Sequence, residues 1–268
     1  MPLAVCATPI GNLEDVTLRV LQELAAADVV LCEDTRRTRG LLARHGLSAR
    51  LVAYHEHNEA RRVAEVLPRL RAGERVALVS DAGLPGISDP GTRLVAAALE
   101  AGVPVTVLPG PSAVETALVA SGFEVERYQF LGYLPRGSRA LGALWAGLAR
   151  WPHAAVAFES PQRLPATLRS LAESLPDRPV AVCRELTKVF EEVVRGPAAA
   201  VAPRFAEPPK GEITLVLGPA PAVEPASDAA LEVIAELVAA GVSRRQAANL
   251  VARLTGVPRN RLYRGSLA

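Results

Sequence analysis

The sequence predicts an α/β protein with mixed, parallel-rich sheets covered by helices, followed by a small helical module near the C-terminal end. Two observations lead to this class. Short apolar runs of strand length alternate with amphipathic helical segments along residues 3–218, and loops rich in glycine and proline follow several of the runs. Such alternation is typical of βαβ units, in which helices cover the faces of a parallel sheet. A chain of 268 residues has room for two domains of this kind.

Five strands and four helices are expected in the N-terminal part. The strands lie at LAVCA (3–7), DVVLCED (28–34), RLVAYH (50–55), RVALVSDAG (75–83) and PVTVLPG (104–110). The first helix is predicted because Leu18, Leu21, Leu24 and Ala25 recur at the spacing of one helix face. Asn58 is expected to cap the third helix. The second to fourth helices are placed at TRRTRGLLARHGL (35–47), NEARRVAEVLPRLRAG (58–73) and GTRLVAAALEAG (91–102).

The second part repeats this alternation. It opens with a helix at PSAVETALVASG (111–122), where Ser112 and Glu115 form a capping-box pattern. A further helix is expected at 162–175, and strands at YQFLGYLP (128–135), HAAVAFES (153–160), PVAVCREL (179–186) and GEITLVLGP (211–219). We therefore predict domains at residues 1–111 and 112–218, an Ala/Pro linker at 219–227, and two or three short helices in residues 228–268.

Composition excludes several classes of protein. Hydrophobic residues make up 50% of the chain and charged residues 22%, which is typical of a globular protein. The chain has 30 Lys and Arg residues and 28 Asp and Glu residues, and this small excess of positive charge does not indicate a nucleic-acid-binding protein. Cys6, Cys32 and Cys183 stand singly in apolar runs, so we expect buried thiols and no metal site. With neither a signal peptide nor an apolar run of membrane length, the chain is expected to be cytoplasmic and to contact no membrane.

Three loops at predicted strand ends have the composition of a ligand site. They are TPIGN (8–12), SDAGLPGISDPG (80–91) and LPGPSA (108–113). Glycine lets the backbone approach a ligand, proline fixes the loop, and ligands of open α/β sheets bind outside the carboxyl ends of the strands. One such loop alone is more often a simple turn, but three together predict a binding cleft. No GxxxxGK[ST] follows a strand and no GxGxxG opens a helix, which argues against a phosphate loop or a dinucleotide.

Long motifs within these segments resemble those of a known family. In chain order they are TPIGNLEDVTLRVLQELAAADVVLCEDTRRTRGLL (8–42), YHEHNE (54–59), LVSDAGLPGISDPG (78–91), LPGPSAVETAL (108–118), FLGYLPR (130–136), FESPQRL (158–164), RELTKVFEEVVRG (184–196) and GEITLVLG (211–218). They are similar to the motifs of the tetrapyrrole methylase superfamily. The likeness is strongest to the branch that methylates the ribose 2'-hydroxyl of a decoding-centre cytidine in bacterial 16S ribosomal RNA (rRNA).

The resemblance implies a two-domain tetrapyrrole-methylase-like fold with S-adenosylmethionine (AdoMet) bound between the domains as methyl donor. It also implies a homodimer that acts on 16S rRNA, within the 30S subunit. Tetrapyrrole methylases usually carry Gly-Asp-Pro after the fourth strand, whereas this chain has Asp81-Ala82-Gly83, which leaves the backbone contacts there open. Matched position by position, the implied AdoMet contacts are Asp81, Ala82, Gly83, Ser88, Pro109, Ser112, Phe158, Glu159, Arg184, Ile213 and Thr214.

Methyl transfer to a ribose hydroxyl benefits from a general base within hydrogen-bond reach of the oxygen. The catalytic candidates are Glu33, Asp34 and His55, with Glu56 and Asp89 as further possibilities. Asp34 also fits a helix N-cap, and His55 fits a strand-end histidine bonded to the backbone. The sequence does not choose among these roles.

Arginines beside the predicted cleft are candidate RNA ligands, because the guanidinium fork suits phosphate. They are Arg36, Arg37, Arg39, Arg136 and Arg163, with Arg139 nearby. Surface ion pairs with acids are the alternative explanation. Lys188, one of only two lysines, more commonly indicates a solvated surface residue.

The C-terminal helices carry an apolar stripe and many arginines. The stripe is expected at Ala247, Leu250, Val251 and Leu254. Docking of RNA in the manner of a helix-turn-helix and a basic-faced packing module are equally compatible with this pattern.

Two further functions stay open at this point. A tetrapyrrole C-methyltransferase would share the fold and the methyl donor, but the arginines of EDTRRT (33–38) and the basic C-terminal segment argue against it. A non-catalytic module that binds AdoMet or RNA is the other, and the acidic candidates at the cleft argue against it. The target nucleotide, the choice between free RNA and assembled 30S subunit, and a dependence on Mg²⁺ do not follow from the sequence.

Overall fold

The computed structural model describes residues 2–220, 227–257 and 259–267. The chain forms two compact units, residues 1–220 and 221–268, each with its own hydrophobic core. Residues 221–226 of the predicted Ala/Pro linker lie outside the described residues. Within the first unit, we refer to residues 2–111 as the first half and to residues 112–220 as the second half.

The first half is built on a five-stranded parallel sheet. Its strands are β1 (Leu3–Cys6), β2 (Val29–Cys32), β3 (Leu51–Ala53), β4 (Val76–Val79) and β5 (Val105–Leu108), in the order β3-β2-β4-β1-β5. All of its pairings are parallel. The strands β1, β2 and β4 are apolar and buried throughout, as expected where both faces of a parallel sheet are covered.

Four helices connect these strands: α1 (Leu18–Ala26), α2 (Thr35–Arg44), α3 (Glu59–Arg71) and α4 (Thr92–Glu100). The predicted inner face of α1 is partly wrong, because Leu18 is 77% exposed and the helix instead buries Val20, Glu23 and Leu24. The buried Glu23 carboxylate forms an ion pair of 3.0 Å with Arg75. Because Glu23 is a charged residue, the apolar pattern of the sequence did not indicate that it lies on the buried face.

The predicted side-chain cap at Asn58 is also wrong. Asn58 precedes α3, but its amide makes no capping bond to the helix. It instead accepts a hydrogen bond from the His55 N–H at 2.9 Å and donates one to the Ala53 carbonyl at 3.1 Å. The side chain therefore closes the turn between β3 and α3, which leaves it no oxygen for the helix end.

The second half contains a mixed five-stranded sheet. Its strands are β6 (Tyr128–Tyr133), β7 (Ala154–Glu159), β8 (Pro179–Arg184), β9 (Glu192–Pro197) and β10 (Ile213–Leu217), in the order β6-β7-β10-β8-β9. The β6–β7 pair is parallel and the other pairings are antiparallel. Over both sheets the parallel pairings outnumber the antiparallel ones, which confirms the predicted α/β class with mixed, parallel-rich sheets.

The helices of the second half are α5 (Ala113–Ser121), α6 (Ser138–Ala149), α7 (Leu164–Ser174) and α8 (Ala198–Val201), which continues into a 3₁₀ turn at Ala202–Phe205. The helix α5 packs on β7, β8, β9 and β10, so the predicted division between residues 111 and 112 falls just before the first helix of the second sheet. Trp145 of α6 is fully buried in the core of the second half. Cys6, Cys32 and Cys183 are buried and unpaired, as predicted.

The helices α6 and α8, the 3₁₀ turn that follows α8, and the strand β9 were not predicted. The helix α6 contains Gly142 and Gly147, which weaken the helical signal, and the strand β9 is an edge strand with exposed, charged residues. The helix α8 has only four residues and is too short to show a helical period.

The C-terminal unit is a three-helix module, as predicted, formed by α9 (Ser227–Ala239), α10 (Arg244–Thr255) and α11 (Arg259–Gly265). Its core contains Ala230, Ile234, Ala247, Ala248, Val251, Val257 and Leu262. The predicted stripe is wrong at two positions, since Leu250 is 44% and Leu254 83% exposed. Ala248 takes part in the core instead, because small side chains let α10 approach its neighbours closely.

Candidate functional site

The carboxyl ends of β1, β4 and β5 bring the three predicted loops together. Thr8 and Gly83 exchange backbone hydrogen bonds of 2.8 and 3.0 Å, and the Thr8 hydroxyl donates to the Ser80 carbonyl at 3.0 Å. Gly110 of the third loop approaches the first so closely that a Cβ atom there would lie 2.8 Å from the Cβ of Ala7. The parallel sheet thus places the backbone of three loops side by side at one edge.

The long loop after β4 has a backbone that depends on glycine. Gly83, Gly86 and Gly91 have φ values of +75°, +88° and +146°, and Ser88 adopts +62° in spite of its side chain. The Glu59 carboxylate holds the far end of this loop, because its Oε1 accepts from the Gly91 N–H at 3.1 Å and from the Tyr54 hydroxyl at 2.7 Å. Ser88 is therefore held in a conformation that costs energy, as is common at ligand sites.

Asp81 connects the ends of β2 and β4. Its Oδ1 accepts a hydrogen bond from the Asp34 N–H at 2.9 Å, and its Oδ2 lies 3.5 Å from the Nε of Arg37. The side chain is 24% exposed. Asp81 thus has a fixed orientation and retains acceptor capacity for a ligand.

A cavity of about 260 Å³ lies beside Asp81 and is lined by both halves of the first unit. The first half contributes the loop from Thr8 to Gly11, and the second half contributes Lys188 and Glu212. Gly11 allows this close approach, since a Cβ atom there would lie 2.6 Å from the Thr187 hydroxyl and 2.7 Å from the Leu186 carbonyl oxygen. The two halves therefore meet at the candidate site.

Lys188 is held in this junction and is not a solvated surface lysine, contrary to the commoner expectation. Its Nζ contacts the Glu185 Oε1 at 2.8 Å and the Glu212 Oε2 at 3.0 Å, and 26% of its side chain is exposed. Partial burial lowers the pKa of Lys188, but the two carboxylates outweigh that effect and raise it. Glu185 and Thr187 have φ values of +52° and +66°, so the turn after β8 is strained.

The second sheet contributes a row of strand ends to the same junction. Ile213 pairs with Glu159 on one side and with Arg184 on the other, and Thr214 pairs with Phe158. The structure therefore brings together five of the six residues that the resemblance implied for this half, the exception being Ser112 at the beginning of α5. Because β10 is antiparallel to its neighbours, its first residues lie beside the last residues of β7 and β8.

Two members of this row use their charged groups within the protein. The Glu159 side chain is fully buried and accepts from the Ser160 N–H at 2.7 Å and the Thr167 hydroxyl at 2.6 Å. The Arg184 guanidinium donates to Glu192 at 3.0 Å and to the Lys210 carbonyl at 3.1 Å. A contact from either residue to a ligand would therefore come from the backbone or from the remaining edge of the group.

A second, more open hollow of about 730 Å³ is lined by Glu33, Glu56, Glu59, Ser88 and Asp89. Burial, followed by the nearby charges of Glu33 and Asp81, raises the pKa of Asp89 to about 6, against an opposing hydrogen bond from Ser80. Burial and the charge of Asp81 also raise the pKa of Glu33. The hollow thus contains carboxylates that repel one another, an arrangement that suits a base working near neutral pH.

The geometry disfavours two of the predicted bases. Asp34 caps α2 through the Arg36 N–H at 2.8 Å and pairs with the Arg36 guanidinium at 2.6 Å, which holds the pKa of Asp34 well below its usual range. The His55 Nε2 lies 3.1 Å from the Asn58 amide, and its Nδ1 is buried without a hydrogen-bond partner in the described part of the chain. Asp89 and Glu33 remain as candidate bases with raised pKa values.

The predicted RNA-binding arginines fall into three groups. Arg36 and Arg37 line the cavity and pair with the acids Asp34 and Asp81. Arg163 is a structural residue, because its Nη2 donates to the Leu134 carbonyl at 2.9 Å and the Pro135 carbonyl at 2.7 Å and lies 3.4 Å from Glu159. Arg39 and Arg136 are exposed, and the described residues offer them no ion pair.

Pro109 and Ser112 lie in the third loop. Pro109 is exposed, and the Ser112 hydroxyl donates to the Glu115 carboxylate, which also accepts from the Tyr128 hydroxyl at 2.8 Å. Ser112 stands at the N-cap of α5 as predicted, but its hydroxyl makes no bond to the helix backbone. The capping box is therefore replaced by a side-chain chain from Ser112 through Glu115 to Tyr128.

Sequence reasoning missed Gly11, Glu59 and Glu212 as parts of the site. Gly11 lies in a loop that was singled out, but nothing in the sequence indicated what it would approach. Glu59 and Glu212 lie at the beginning of a helix and just before a strand, where an acid is ordinary. The scarcity of lysine is the signal in the sequence that points to Lys188.

The described ranges contain neither a metal-binding cluster nor a membrane-spanning helix. In residues 2–220, 227–257 and 259–267, no group of three or more His, Cys, Asp and Glu side chains is arranged to hold a metal ion. No helix in the described part of the chain combines the length and the apolar character needed to cross a bilayer.

Comparison with known proteins places the chain among methyltransferases. The sequence profile of the Tetrapyrrole (Corrin/Porphyrin) Methylases matches residues 2–202, and that of the RsmI C-terminal HTH domain matches residues 224–268. The crystal structure of uroporphyrin-III-C-methyltransferase from Thermus thermophilus superposes with a TM-score of 0.56 at 24% identity, covering 81% of this chain and 93% of that one. This likeness supports the fold.

Two relatives match nearly the whole chain. The ribosomal RNA small subunit methyltransferase I of Mesorhizobium japonicum is 45% identical over 98% of this chain and 90% of its own length. The protein of the same name from Mycobacterium bovis is 47% identical over 96% of this chain and 91% of its own length. The chain therefore belongs to the tetrapyrrole methylase family and, within it, to the group of ribosomal RNA small subunit methyltransferases I.

Proposed function

We propose that the protein transfers the methyl group of AdoMet to the ribose 2'-hydroxyl of a cytidine in 16S rRNA. The observation that carries this proposal is the junction of the two halves, where three glycine- and proline-rich loops, a row of strand ends and a group of carboxylates converge. The relatives that match the full chain are named for methylation of small-subunit rRNA, which supports the substrate class.

The residues at this junction fit AdoMet chemically. AdoMet supplies a methyl group on a positively charged sulfonium and carries a second positive charge on its amino group. Asp81 offers a fixed and partly exposed carboxylate beside the cavity, and Glu33, Asp89 and Glu212 add negative charge nearby. Closely packed loop backbone at Thr8, Gly83 and Gly110 suits recognition through main-chain groups.

For the second half we propose that the main chain of its strand-end residues contacts AdoMet at the same site. The strand-end residues Phe158, Ile213 and Thr214 lie next to one another and complete the wall that faces the loops. Glu159 orients this wall from within, because its carboxylate is committed to Ser160, Thr167 and Arg163. The proposed AdoMet contacts also include residues that neighbour the loops and the strand-end wall, namely Ala82, Ser88, Pro109, Ser112 and Arg184.

We assign proton removal from the ribose hydroxyl to Asp89, with Glu33 as the neighbour that tunes it. A carboxylate whose pKa is about 6 is largely ionised at neutral pH and accepts a proton more readily than an ordinary aspartate. In-line transfer needs little more than this base and firm positioning of the two reactants.

RNA binding is proposed for the exposed arginines and for the C-terminal module. Arg36, Arg37, Arg39 and Arg136 supply phosphate ligands near the junction, whereas Arg163 is reserved for structure. Residues 240–268 contain six arginines and no acidic residue, which favours a nucleic-acid surface over a packing module. The proposal includes action on the 30S subunit, a homodimer and a cytoplasmic location.

A methyl-transfer assay with radiolabelled AdoMet tests this function. Unmodified 30S subunits, protein-free 16S rRNA and a tetrapyrrole precursor would be offered in parallel. We expect label in a ribose 2'-O-methyl group of the small-subunit RNA, and none with the Asp81→Ala variant at low AdoMet concentration. Label that appears only in the macrocycle would contradict the substrate assignment, and the absence of transfer to any acceptor would contradict the enzyme assignment.

A further inference from the structure

The end of β6 contains a bulge that changes the direction of Tyr133. In the pairing with β7, Phe130 lies opposite Val156 and Tyr133 opposite Phe158, so β6 takes three steps while β7 takes two. Gly132 has a φ of +64°, which accommodates the extra residue. Regular alternation would place Tyr133 on the face of Leu131, but the bulge places it on the face of Phe130.

This change of face brings Tyr133 into an aromatic group that leads to the surface. Phe158 makes edge-to-face contacts with Phe130 and Tyr133, at ring-centroid distances of 5.1 and 5.6 Å. Phe130 and Phe158 pack against the core between α5 and the second sheet, whereas Tyr133 is 64% exposed. Tyr133 is therefore the outermost ring of a supported aromatic stack, with a large part of its surface free.

Tyr133 also stands close to the acidic groups on both sides of the junction. Partial burial, followed by the negative charges of Glu212, Asp89 and Glu159, raises the pKa of Tyr133. Glu212 lines the cavity beside Asp81, and Asp89 lines the open hollow. A residue of the second half thus reaches the neighbourhood of the proposed base in the first half.

We infer that Tyr133 is the stacking platform for the nucleobase whose ribose is methylated. This inference rests on the proposed function and adds the residue that positions the RNA acceptor. Recognition of one nucleotide in RNA commonly uses an unstacked base, and aromatic side chains commonly receive such a base. Tyr133 offers an exposed ring close to Asp89, and the bulge and Phe158 fix its orientation.

The position of Tyr133 favours the acceptor base over the adenine of AdoMet. Phe158, one strand inward, is the more buried ring and lies in the strand-end row that forms the wall of the proposed AdoMet site. Tyr133 extends this row onto the edge strand β6 and is 64% exposed. The nearby carboxylates would repel a phosphate group. A neutral base that stacks on Tyr133 does not experience this repulsion.

The test compares Tyr133→Leu with Tyr133→Phe in the full-length protein. With unmodified 30S subunits as substrate, the Leu variant is expected to raise the KM for the subunit about tenfold or more, because it removes the ring while keeping apolar bulk. The Phe variant, which retains the ring, is expected to return the KM to within about threefold of the original. Leu99→Ala, at a position on α4 that is 60% exposed, is the surface control.

Two further measurements separate this role from others. AdoMet affinity by calorimetry is expected to stay unchanged in Tyr133→Leu, and a weakened affinity would mean that the ring contacts the cofactor. Sedimentation is expected to show the same oligomeric state, and dissociation would mean that Tyr133 lies in a subunit contact. An unchanged KM for the subunit would overturn the inference directly. If the unaltered protein methylates no RNA, the proposed function fails first, and the inference fails with it.

Discussion

The two halves of the first unit form their sides of the candidate site with different sheet topologies. In the first half all pairings are parallel, so every strand ends at one edge and three loops rich in glycine and proline meet there. In the second half β10 runs against β7 and β8, and the corresponding edge mixes strand beginnings with strand ends. Its charged groups, Glu159 and Arg184, bond to neighbouring protein groups.

This difference indicates a division of labour. A parallel edge exposes consecutive loops that are free to carry carboxylates such as Asp81 and Asp89. At the mixed edge, the Glu159 carboxylate and the Arg184 guanidinium are held by neighbouring residues, which leaves few charged groups free for a ligand. We therefore expect carboxyl-to-amide changes to affect chemistry in the first half and stability in the second.

The largest effect is expected for Asp89→Asn. The amide keeps the size of the side chain but cannot accept the ribose proton, so kcat is expected to fall about 100-fold or more. Single-turnover methyl transfer with bound substrates measures this change separately from binding. Glu56→Gln, in the same hollow but without a proposed role in the reaction, is the matched control. A kcat within a few-fold of the original for Asp89→Asn would remove Asp89 from the mechanism.

The same residue predicts a pH dependence of both activity and stability. Because the pKa of Asp89 is raised to about 6, kcat/KM is expected to rise about tenfold per pH unit below that value and to level off above it. A raised carboxyl pKa favours the folded state at low pH, and this contribution is lost as the pH rises from the ordinary aspartate value through about 6. Asp89→Asn is therefore expected to be more stable than the original at pH 8 and equally stable at pH 4.

Denaturant unfolding at the two pH values measures the stability, and the pH profile of methyl transfer measures the activity. A profile that is flat between pH 5 and pH 7 would contradict the assignment, as would an Asp89→Asn variant that is less stable at pH 8. Gain of stability with loss of activity in one variant is the expected mark of a strained catalytic group.

Glu159→Gln is the counterpart in the second half. The side chain is fully buried and accepts hydrogen bonds from Ser160 and Thr167 beside Arg163, so loss of its charge is expected to cost about 2 kcal/mol of stability. AdoMet affinity at a temperature where the variant is folded is expected to stay within about threefold, since the carboxylate faces inward. Urea unfolding and calorimetry give the two values. A large loss of affinity without a loss of stability would make Glu159 a ligand contact and would weaken the comparison between the halves.

The sequence was informative where local chemistry decides the structure. The apolar runs of the first sheet and the glycine and proline of its loops predicted both the parallel strands and the place where they would meet. The insertion of β10 between β7 and β8 depends on pairing between distant segments, and no local pattern encodes it. The family resemblance supplied the five residues of the strand-end row, which periodicity alone would not have selected.

The parts that escaped prediction depend on tertiary contacts. Glu159 looks like an ordinary strand-end acid until Thr167 and Arg163 are seen to bond to it. Asp34 was a candidate base and a candidate cap, and only the Arg36 contacts decide in favour of the cap. The face of Tyr133 is set by a one-residue bulge, which reverses the alternation on which a sequence argument relies.

The junction between the halves is tested by adding one methyl group at Gly11. A Cβ atom there would lie 2.7 Å from the Leu186 carbonyl oxygen, so Gly11→Ala forces the loop away from the turn after β8. We expect a loss of about 1–3 kcal/mol in unfolding free energy, together with weaker AdoMet binding, because the cavity is lined by both sides of this contact. Unchanged stability and affinity would show that the halves do not depend on this approach.

The smallest effect is expected for the matched change Gly142→Ala, and it has the opposite sign. Gly142 lies within α6, and a Cβ atom there would meet no other atom within 4 Å. Alanine reduces the entropy of the unfolded chain and favours the helix, so we expect a gain of about 0.5–1 kcal/mol without a change in AdoMet affinity. Thermal and urea unfolding of both variants compare one methyl group placed in the junction with one placed on a free helix surface. If Gly142→Ala were as damaging as Gly11→Ala, the cost at Gly11 would reflect a general intolerance of the fold, and the special role of the junction would be lost.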